Sequence, residues 1–249
     1  MSHALLLPAA GFLAGAMNAV AGGGSFVTFP VLLLSGVPAI AANASSTLAL
    51  YPGAFTSAWA YRGEFRDLAG TSVKALVPVS VAGGLVGALL LLFTPARTFD
   101  LVIPWLLLAG SLAFALGPRV SAHVRRALPA GRGALFAAQF VLGIYGGYFG
   151  GAVGLIMMAA WAVFGVNDVR AMVAGKAILV GAANTAAALC FIVANEVWWG
   201  RTLAMMAAAA VGGYAGARLG RRLPVAALRA TITVFNFVVT ALFFVRAFR

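Results

Sequence analysis

The sequence is a succession of apolar runs with almost no charge inside them. Of its 249 residues, 63% are hydrophobic and 9% are charged, and only five are acidic. An ordinary soluble domain carries about 25% charged residues. So few charged residues cannot form the surface of a protein in water. We therefore expect most of the surface of this chain to face lipid. We therefore predict an all-α integral membrane protein that crosses the bilayer many times.

The basic residues lie in short groups between the apolar runs. The net charge is +12, but this spacing is typical of cytoplasmic loops beside anionic lipid and not of a nucleic-acid-binding face. We therefore expect membrane lipids and no nucleic acid as partners. The apolar sequence begins at Ala4 with no Lys or Arg before it, which predicts a retained first membrane element and no cleaved signal peptide.

Charges, glycines and prolines divide the chain into two sets of five apolar runs. A spanning helix needs about 20 apolar residues, so the second run of each set is short enough to be a half-helix. The first set covers residues 4–21, 25–35, 39–61, 75–93 and 98–117, and the second covers residues 133–149, 152–165, 171–195, 202–217 and 230–247.

The two sets match each other at a nearly constant offset, which predicts an internal duplication. The first repeat would be residues 1–117 and the second residues 133–249, joined by a basic cytoplasmic linker at 118–132. The matched glycines and prolines, 128 or 129 positions apart, are Gly15 and Gly143, Gly22 and Gly150, Gly23 and Gly151, Gly36 and Gly165, Gly83 and Gly212, Gly84 and Gly213, Gly87 and Gly216, and Pro95 and Pro224.

The distribution of Lys and Arg predicts the orientation of the repeats. If each repeat crosses the membrane an odd number of times, the repeats are inverted, and all but four of the 17 basic residues share one face; the four are Arg97, Arg201, Arg246 and Arg249. Parallel repeats give a weaker bias, so the positive-inside rule favours inversion with both termini in the periplasm. We predict a broken or re-entrant helical hairpin and three transmembrane helices in each repeat. Eight and ten spans both fit.

Two glycine clusters interrupt the apolar sequence at equivalent places, and we take them as the candidate solute site. The first, AGGGSFVTFP, begins at Ala21, and the second, YFGGAVGLIM, begins at Tyr148. A helix that starts at such a break presents free N–H groups and partial positive charge, which suit an anion. Broken helices at matching places in two inverted repeats are typical of a transporter site near the midplane. Close helix packing alone would also explain the glycines.

Polar residues follow each break on one helix face. Asn43, Thr47 and Tyr51 are spaced by four residues, with Ser46 beside them. The matching helix carries Gly175, Lys176 and, eight residues later, Asn184. A lysine inside a membrane element indicates function by default, but a lysine near a helix start can also extend to the surface. The sequence leaves both readings open.

Other residues carry less weight. Asn18, Gln139, Asn236 and Thr240 are weaker candidates, because hydrogen bonds between helices explain such residues equally well. The carboxylates and both histidines lie near or beyond the ends of the runs, and no catalytic or metal-binding motif is present. We therefore expect no enzyme activity, no proton-relay residue, no metal and no cofactor.

Several motifs resemble those of the TauE/SafE sulfite exporter family. They are AGGGS-x-x-x-x-P and G-V-P-x-x-A-x-x-x-S-S-T in the first half, and GGYFGGAVGL, FGV and A-x-x-x-GK in the second. The resemblance covers nearly the whole chain and implies a bacterial inner-membrane permease for sulfite, sulfonates or related organic anions. The positions that match are Gly22, Gly23, Gly24, Ser25, Ser46 and Thr47 in the first motif, and Gly150, Gly151, Gly154, Gly175 and Lys176 in the second.

Two positions depart from the expected pattern. Met158 stands where a proline equivalent to Pro30 is expected, and Lys176 stands where a hydroxyl residue is expected. We predict a secondary transporter for a small anion, with an anion channel or a non-transporting membrane scaffold as alternatives. Gly83 with Gly87, and Gly212 with Gly216 and Gly220, would pack helices within one chain or between two in a homodimer.

Overall fold

A computed structural model describes residues 3–20, 22–124, 131–220 and 225–248. These residues form ten α-helices and one short 3-10 helix, Arg62–Glu64. Of the predicted linker at 118–132, residues 125–130 fall outside the described residues, and residues 118–124 continue the preceding helix. The helices are α1 His3–Val20, α2 Ser25–Leu34, α3 Ala39–Ala60, α4 Val73–Leu92, α5 Ala96–Val124, α6 Arg132–Tyr148, α7 Val153–Val163, α8 Val169–Val193, α9 Trp199–Gly220 and α10 Val225–Ala247.

The two short runs of the sequence form two short helices. Helix α2 has 10 residues and α7 has 11, which corresponds to about 15 Å of helix at a rise of 1.5 Å per residue. The hydrocarbon core of a bilayer is about 30 Å thick, so each short helix reaches half of that distance. The prediction that a helix of half the spanning length follows each glycine cluster is confirmed.

Three helical segments of the described chain are long and apolar enough to cross a membrane: Val73–Leu92, Ala96–Ala113 and Val169–Val193. The apolar parts of α1, α2, α7 and α10 are shorter. Helix α3 has 22 residues, but its buried Asn, Ser and Thr side chains lower its hydropathy. Large apolar side chains remain exposed on the outside of the bundle, among them Phe93 and Val193. Such a surface suits lipid.

The helices pack in matching pairs across the two halves. Helix α1 packs on α9 as α6 packs on α4, and α3 packs on α9 as α8 packs on α4. Glycines allow the close approach: a β-carbon on Gly83 would lie 2.9 Å from the α-carbon of Gly143, and one on Gly216 would lie 2.5 Å from that of Ala16. These glycines therefore pack helices within one chain and give no support to a homodimer. The surroundings of Gly220 lie outside the described side chains.

Equivalent helices of the two halves run antiparallel where they touch. The Tyr51 hydroxyl on α3 lies 3.1 Å from Thr185 Oγ1 on α8, whereas a β-carbon on Gly181, earlier on α8, would face the later Phe55 at 3.7 Å. On α5 and α10, the hydroxyls of Ser111 and Thr240 lie 3.1 Å apart. An inverted duplication would produce these contacts. The orientation of the halves in a bilayer stays a prediction.

Candidate functional site

The two glycine clusters form two helix breaks of similar geometry. We call residues 22–24 the first break and residues 150–152 the second break. Gly22 has φ of +89° and Gly150 has φ of +72°, a region that glycine enters without steric cost. The Gly22 N–H donates to Met17 O at 3.1 Å, and the Gly150 N–H donates to Tyr145 O at 3.2 Å. These bonds end α1 and α6 in the same way.

The first break touches the helix that follows the second. A β-carbon on Gly22 would lie 3.1 Å from the α-carbon of Gly154 and 3.3 Å from the backbone nitrogen of Leu155. We call this contact the junction. Because Gly22 also has a positive φ, any other residue there would be strained and crowded at once. The junction joins the two elements that the sequence analysis selected as the candidate site.

Backbone N–H groups are left over at both breaks. The first turn of α2 begins with the Phe26 N–H, which donates to Gly23 O, and the Val27 N–H, which donates to Gly24 O. The N–H groups of Gly23, Gly24 and Ser25 make no hydrogen bond to a described residue. The same holds within the described chain for the N–H groups of Gly151, Ala152 and Gly154. Free donors at a helix start carry partial positive charge.

Lys176 lies beside the junction and is only 3% exposed. It is the one buried lysine or arginine among the described side chains. Its Nζ donates to Asn18 O at 3.2 Å and to Ala19 O at 3.4 Å, which are carbonyls at the end of α1 and favour a cation. The side chain therefore turns into the protein and does not extend to the surface.

Helix α3 places its polar face against both breaks. Ser46 Oγ and Thr28 Oγ1 of α2 lie 2.5 Å apart. The Asn43 Nδ2 donates to Tyr148 O at the end of α6, at 3.0 Å, and Thr47 Oγ1 lies 3.8 Å from where a β-carbon on Gly150 would be. Helix α3 of one half thus holds the end of α6, as α8 of the other half holds the end of α1.

A small cavity lies at the junction. The centre of a water molecule has about 10 Å³ in which to move there, which is room for one water. The described structure therefore has no room at this point for a solute of several heavy atoms, which would bind only after the helices part. The cavity is lined by Asn18, Gly22, Ala54, Ser57, Gly154, Lys176, Ala177 and Val180.

Several predicted site residues lie away from the cavity. A β-carbon on Gly175 would face Leu68 Cδ1 at 3.1 Å, and one on Gly151 would face the ring of Phe149. Gly24 packs against the Ala14 carbonyl of α1. Asn184 is buried, and its Oδ1 has no hydrogen-bond partner in the described chain, but the residue does not line the cavity. These contacts belong to helix packing and not to the junction.

Two residues that line the cavity were not among the main candidates from the sequence. Asn18 was a weak candidate, and Ser57 was not considered. Ser57 lies 11 positions after Ser46, which is close to three helical turns, so both share one face of α3. Following the face that carries Ser46 for three helical turns along α3 would have found Ser57. Within the described residues, no group of three or more His, Cys, Asp or Glu side chains is placed to hold a metal.

The family model "Sulfite exporter TauE/SafE" matches residues 7–243 of the chain. The chain is also similar to curated transport proteins. It is 28% identical to a "Probable membrane transporter protein" of Haemophilus influenzae, over 93% of this chain and 90% of the relative. It is 29% identical to "Probable membrane transporter protein YfcA" of Escherichia coli, over 85% of this chain and 77% of the relative.

A third relative is the "Probable membrane transporter protein ORF9" of a Sinorhizobium species. The identity is 30%, over 86% of this chain and 80% of the relative. No solved structure matches the chain. The long apolar helices indicate a membrane protein. The family model and these relatives indicate a transporter.

Proposed function

Because the chain belongs to the sulfite exporter TauE/SafE family, we propose that it is a secondary transporter that moves a small anion across the bacterial inner membrane. The anion would be sulfite, a sulfonate or a related organic anion. The expected cycle exposes one site alternately to the two sides. It needs no catalytic step and no cofactor, and both termini would face the periplasm.

One observation carries the choice of an anion. Lys176 is buried beside the junction, and its described hydrogen bonds go to the carbonyls of Asn18 and Ala19, not to a carboxylate. A buried cation without an opposite charge is costly in a membrane protein. An anion bound at the junction would compensate that charge. The free N–H groups at the starts of α2 and α7 would add to the attraction.

The small size of the cavity favours a carrier over a channel. A channel needs a continuous hydrated path, whereas the space between Gly22, Gly154 and Lys176 holds one water at most. A solute with several heavy atoms would bind there only after the breaks move apart. Such a rearrangement in each transport cycle is what a carrier requires.

Solute counterflow in proteoliposomes tests the proposal. Vesicles containing the purified protein would be loaded with unlabelled sulfite and diluted into trace labelled sulfite, and the same would be done with ethanesulfonate. We expect transient accumulation of label and a rate that saturates with concentration. Flux that neither saturates nor shows counterflow would indicate a channel. Absence of flux for every anion tried, in protein that remains folded, would overturn the proposal.

A further inference from the structure

Asn236 is the most unusual polar residue outside the junction. It lies on α10, its side chain is fully buried, and neither its Nδ2 nor its Oδ1 has a hydrogen-bond partner in the described part of the chain. A buried polar atom without a partner costs about 1–3 kcal/mol. Buried side-chain amides normally find partners, so a residue with two unpartnered atoms calls for an explanation.

The carboxamide of Asn236 is aimed at the first break. A β-carbon on Gly23 would lie 3.9 Å from Asn236 Nδ2. Among the described residues other than the neighbours of Gly23 in the chain, no other heavy atom lies within 4 Å of that position. The N–H groups of Gly23 and Gly24 belong to the same break and make no hydrogen bond to a described residue. Unused donors of the backbone and an unused amide therefore lie near one another at the start of α2.

The position equivalent to Asn236 at the second break carries no amide. The position equivalent to Asn236, 129 residues earlier, is Leu107, which is apolar and 1% exposed. At that break the Tyr145 hydroxyl donates to the Gly151 carbonyl at 2.8 Å. A side chain of the protein thus hydrogen-bonds to the second break, whereas the amide beside the first break is unpaired. The asymmetry points to a ligand at the first break.

We propose that Asn236 and the N–H groups of the first break bind the transported anion, and that this anion carries a hydrogen-bond donor as well as its charged group. The inference rests on the proposed function and names the substrate class. A carboxamide has two N–H donors and an oxygen that accepts. The backbone N–H groups and Nδ2 suit the anionic oxygens. The Oδ1 atom needs a donor, which a hydroxyl or ammonium group of the solute supplies.

Two matched sulfonates test this directly. Ethanesulfonate offers acceptors only, and 2-hydroxyethanesulfonate has the same charged group and one hydroxyl donor. Binding to the purified protein would be measured by calorimetry in detergent. We expect the hydroxylated anion to bind about tenfold or more tightly, because a site built around a hydroxyl rejects the analogue that lacks it.

The variants Asn236→Leu and Gly23→Ala separate recognition from folding. Asn236→Leu removes the unpaired amide, so we expect a higher melting temperature without ligand and a loss of the preference for the hydroxylated anion. Gly23→Ala is sterically allowed, since no described atom outside the neighbouring residues of the chain lies closer than 3.9 Å to the new β-carbon. The added methyl group would fill the space between the backbone at position 23 and the Asn236 side chain. We expect it to weaken binding of the hydroxylated anion about tenfold or more with folding unchanged.

Gln139→Leu is the matched control. Gln139 is also a fully buried amide, but its Nε2 donates to Ser80 Oγ at 2.8 Å and its Oε1 accepts from Trp161 Nε1 at 3.1 Å. This change should lower the melting temperature and keep the preference.

The outcomes decide between the two proposals. A preference that survives in Asn236→Leu and Gly23→Ala overturns the inference, including the case in which Asn236 merely holds a buried water. A wild-type protein that binds both sulfonates equally also overturns it and leaves the anion transporter standing. A wild-type protein that binds neither sulfonate nor sulfite overturns both.

Discussion

The side chain of Lys176 passes directly over Gly154. A β-carbon on Gly154 would lie 2.7 Å from Lys176 Cδ and 2.9 Å from its Cγ, closer than two carbon atoms can pack. The absence of a side chain at position 154 is therefore what lets the lysine reach the carbonyls at the end of α1. The start of α7 and the buried charge depend on each other through this contact.

Gly154→Ala should displace Lys176 and weaken anion binding. The flexible lysine stem can move, so the fold should survive, but the ammonium would lose its place at Asn18 O and Ala19 O. We expect at least a tenfold rise in the dissociation constant for sulfite, measured by calorimetry. Gly200→Ala is the control, because nothing lies within 4 Å of a β-carbon at position 200. Equal affinities for the two variants would contradict the coupling of Gly154 to the lysine.

Lys176→Met keeps the stem and removes the charge. If the ammonium attracts the anion, this change should weaken binding of ethanesulfonate and 2-hydroxyethanesulfonate by the same factor, about tenfold or more. The melting temperature without ligand should hold or rise, because an uncompensated buried charge is removed. Lys74→Met, at an exposed position, is the matched control. An unchanged isotherm would remove Lys176 from the binding site.

The sequence predicted the breaks, which depend on local features, but it left open whether Lys176 is buried or extends to the surface. Glycine clusters interrupt helices wherever a positive φ is needed, as at Gly22 and Gly150. Whether Lys176 is buried depends instead on the helices packed around it. Its hydrogen-bond partners could not be predicted in this way, since Asn18 is 158 positions distant. Asn236 was undervalued for the same reason: only tertiary contacts reveal whether a buried amide is paired.

Membership in a motif does not by itself place a residue at the cavity. Gly175 immediately precedes Lys176 in one motif, yet successive helical residues point in different directions, and Gly175 faces Leu68. Ser57 belongs to no motif but shares a face of α3 with Ser46 and lines the cavity. Helical periodicity can therefore find site residues that no motif contains.

The Thr28 and Ser46 hydroxyls should be energetically coupled. They lie 2.5 Å apart, both buried, and join α2 to α3. Thr28→Val, Ser46→Ala and the double variant form a double-mutant cycle, read by unfolding in detergent and denaturant. We expect a coupling energy of about 0.6 kcal/mol, and no more than about 1.7 kcal/mol, as for other hydrogen bonds between membrane helices. Additive effects would show that the pair does not hold α2 in place.

Gly87→Ala should destabilise the packing of α4 on α6. The new β-carbon would meet the Ile144 carbonyl oxygen and lie 2.7 Å from the Tyr148 backbone nitrogen, and backbone atoms cannot yield as a side chain can. Overpacking of this kind costs about 1–3 kcal/mol. Thermal unfolding in detergent should show a clear loss relative to Gly200→Ala. A melting temperature equal to that of the control would contradict the close approach of these helices.

Labelling of single cysteines decides whether the repeats are inverted in the membrane. Cys190 is the only cysteine, so Cys190→Ser provides a background for Arg66→Cys and Arg246→Cys, both at exposed positions. Inverted repeats place Arg66 in the cytoplasm and Arg246 in the periplasm, whereas parallel repeats place both on the same side. We expect a membrane-impermeant maleimide to label position 246 in intact spheroplasts and position 66 only after permeabilisation. Labelling of both positions in intact spheroplasts, or of neither before permeabilisation, would reject inversion, and with it the opposed entry of the two breaks into the bilayer.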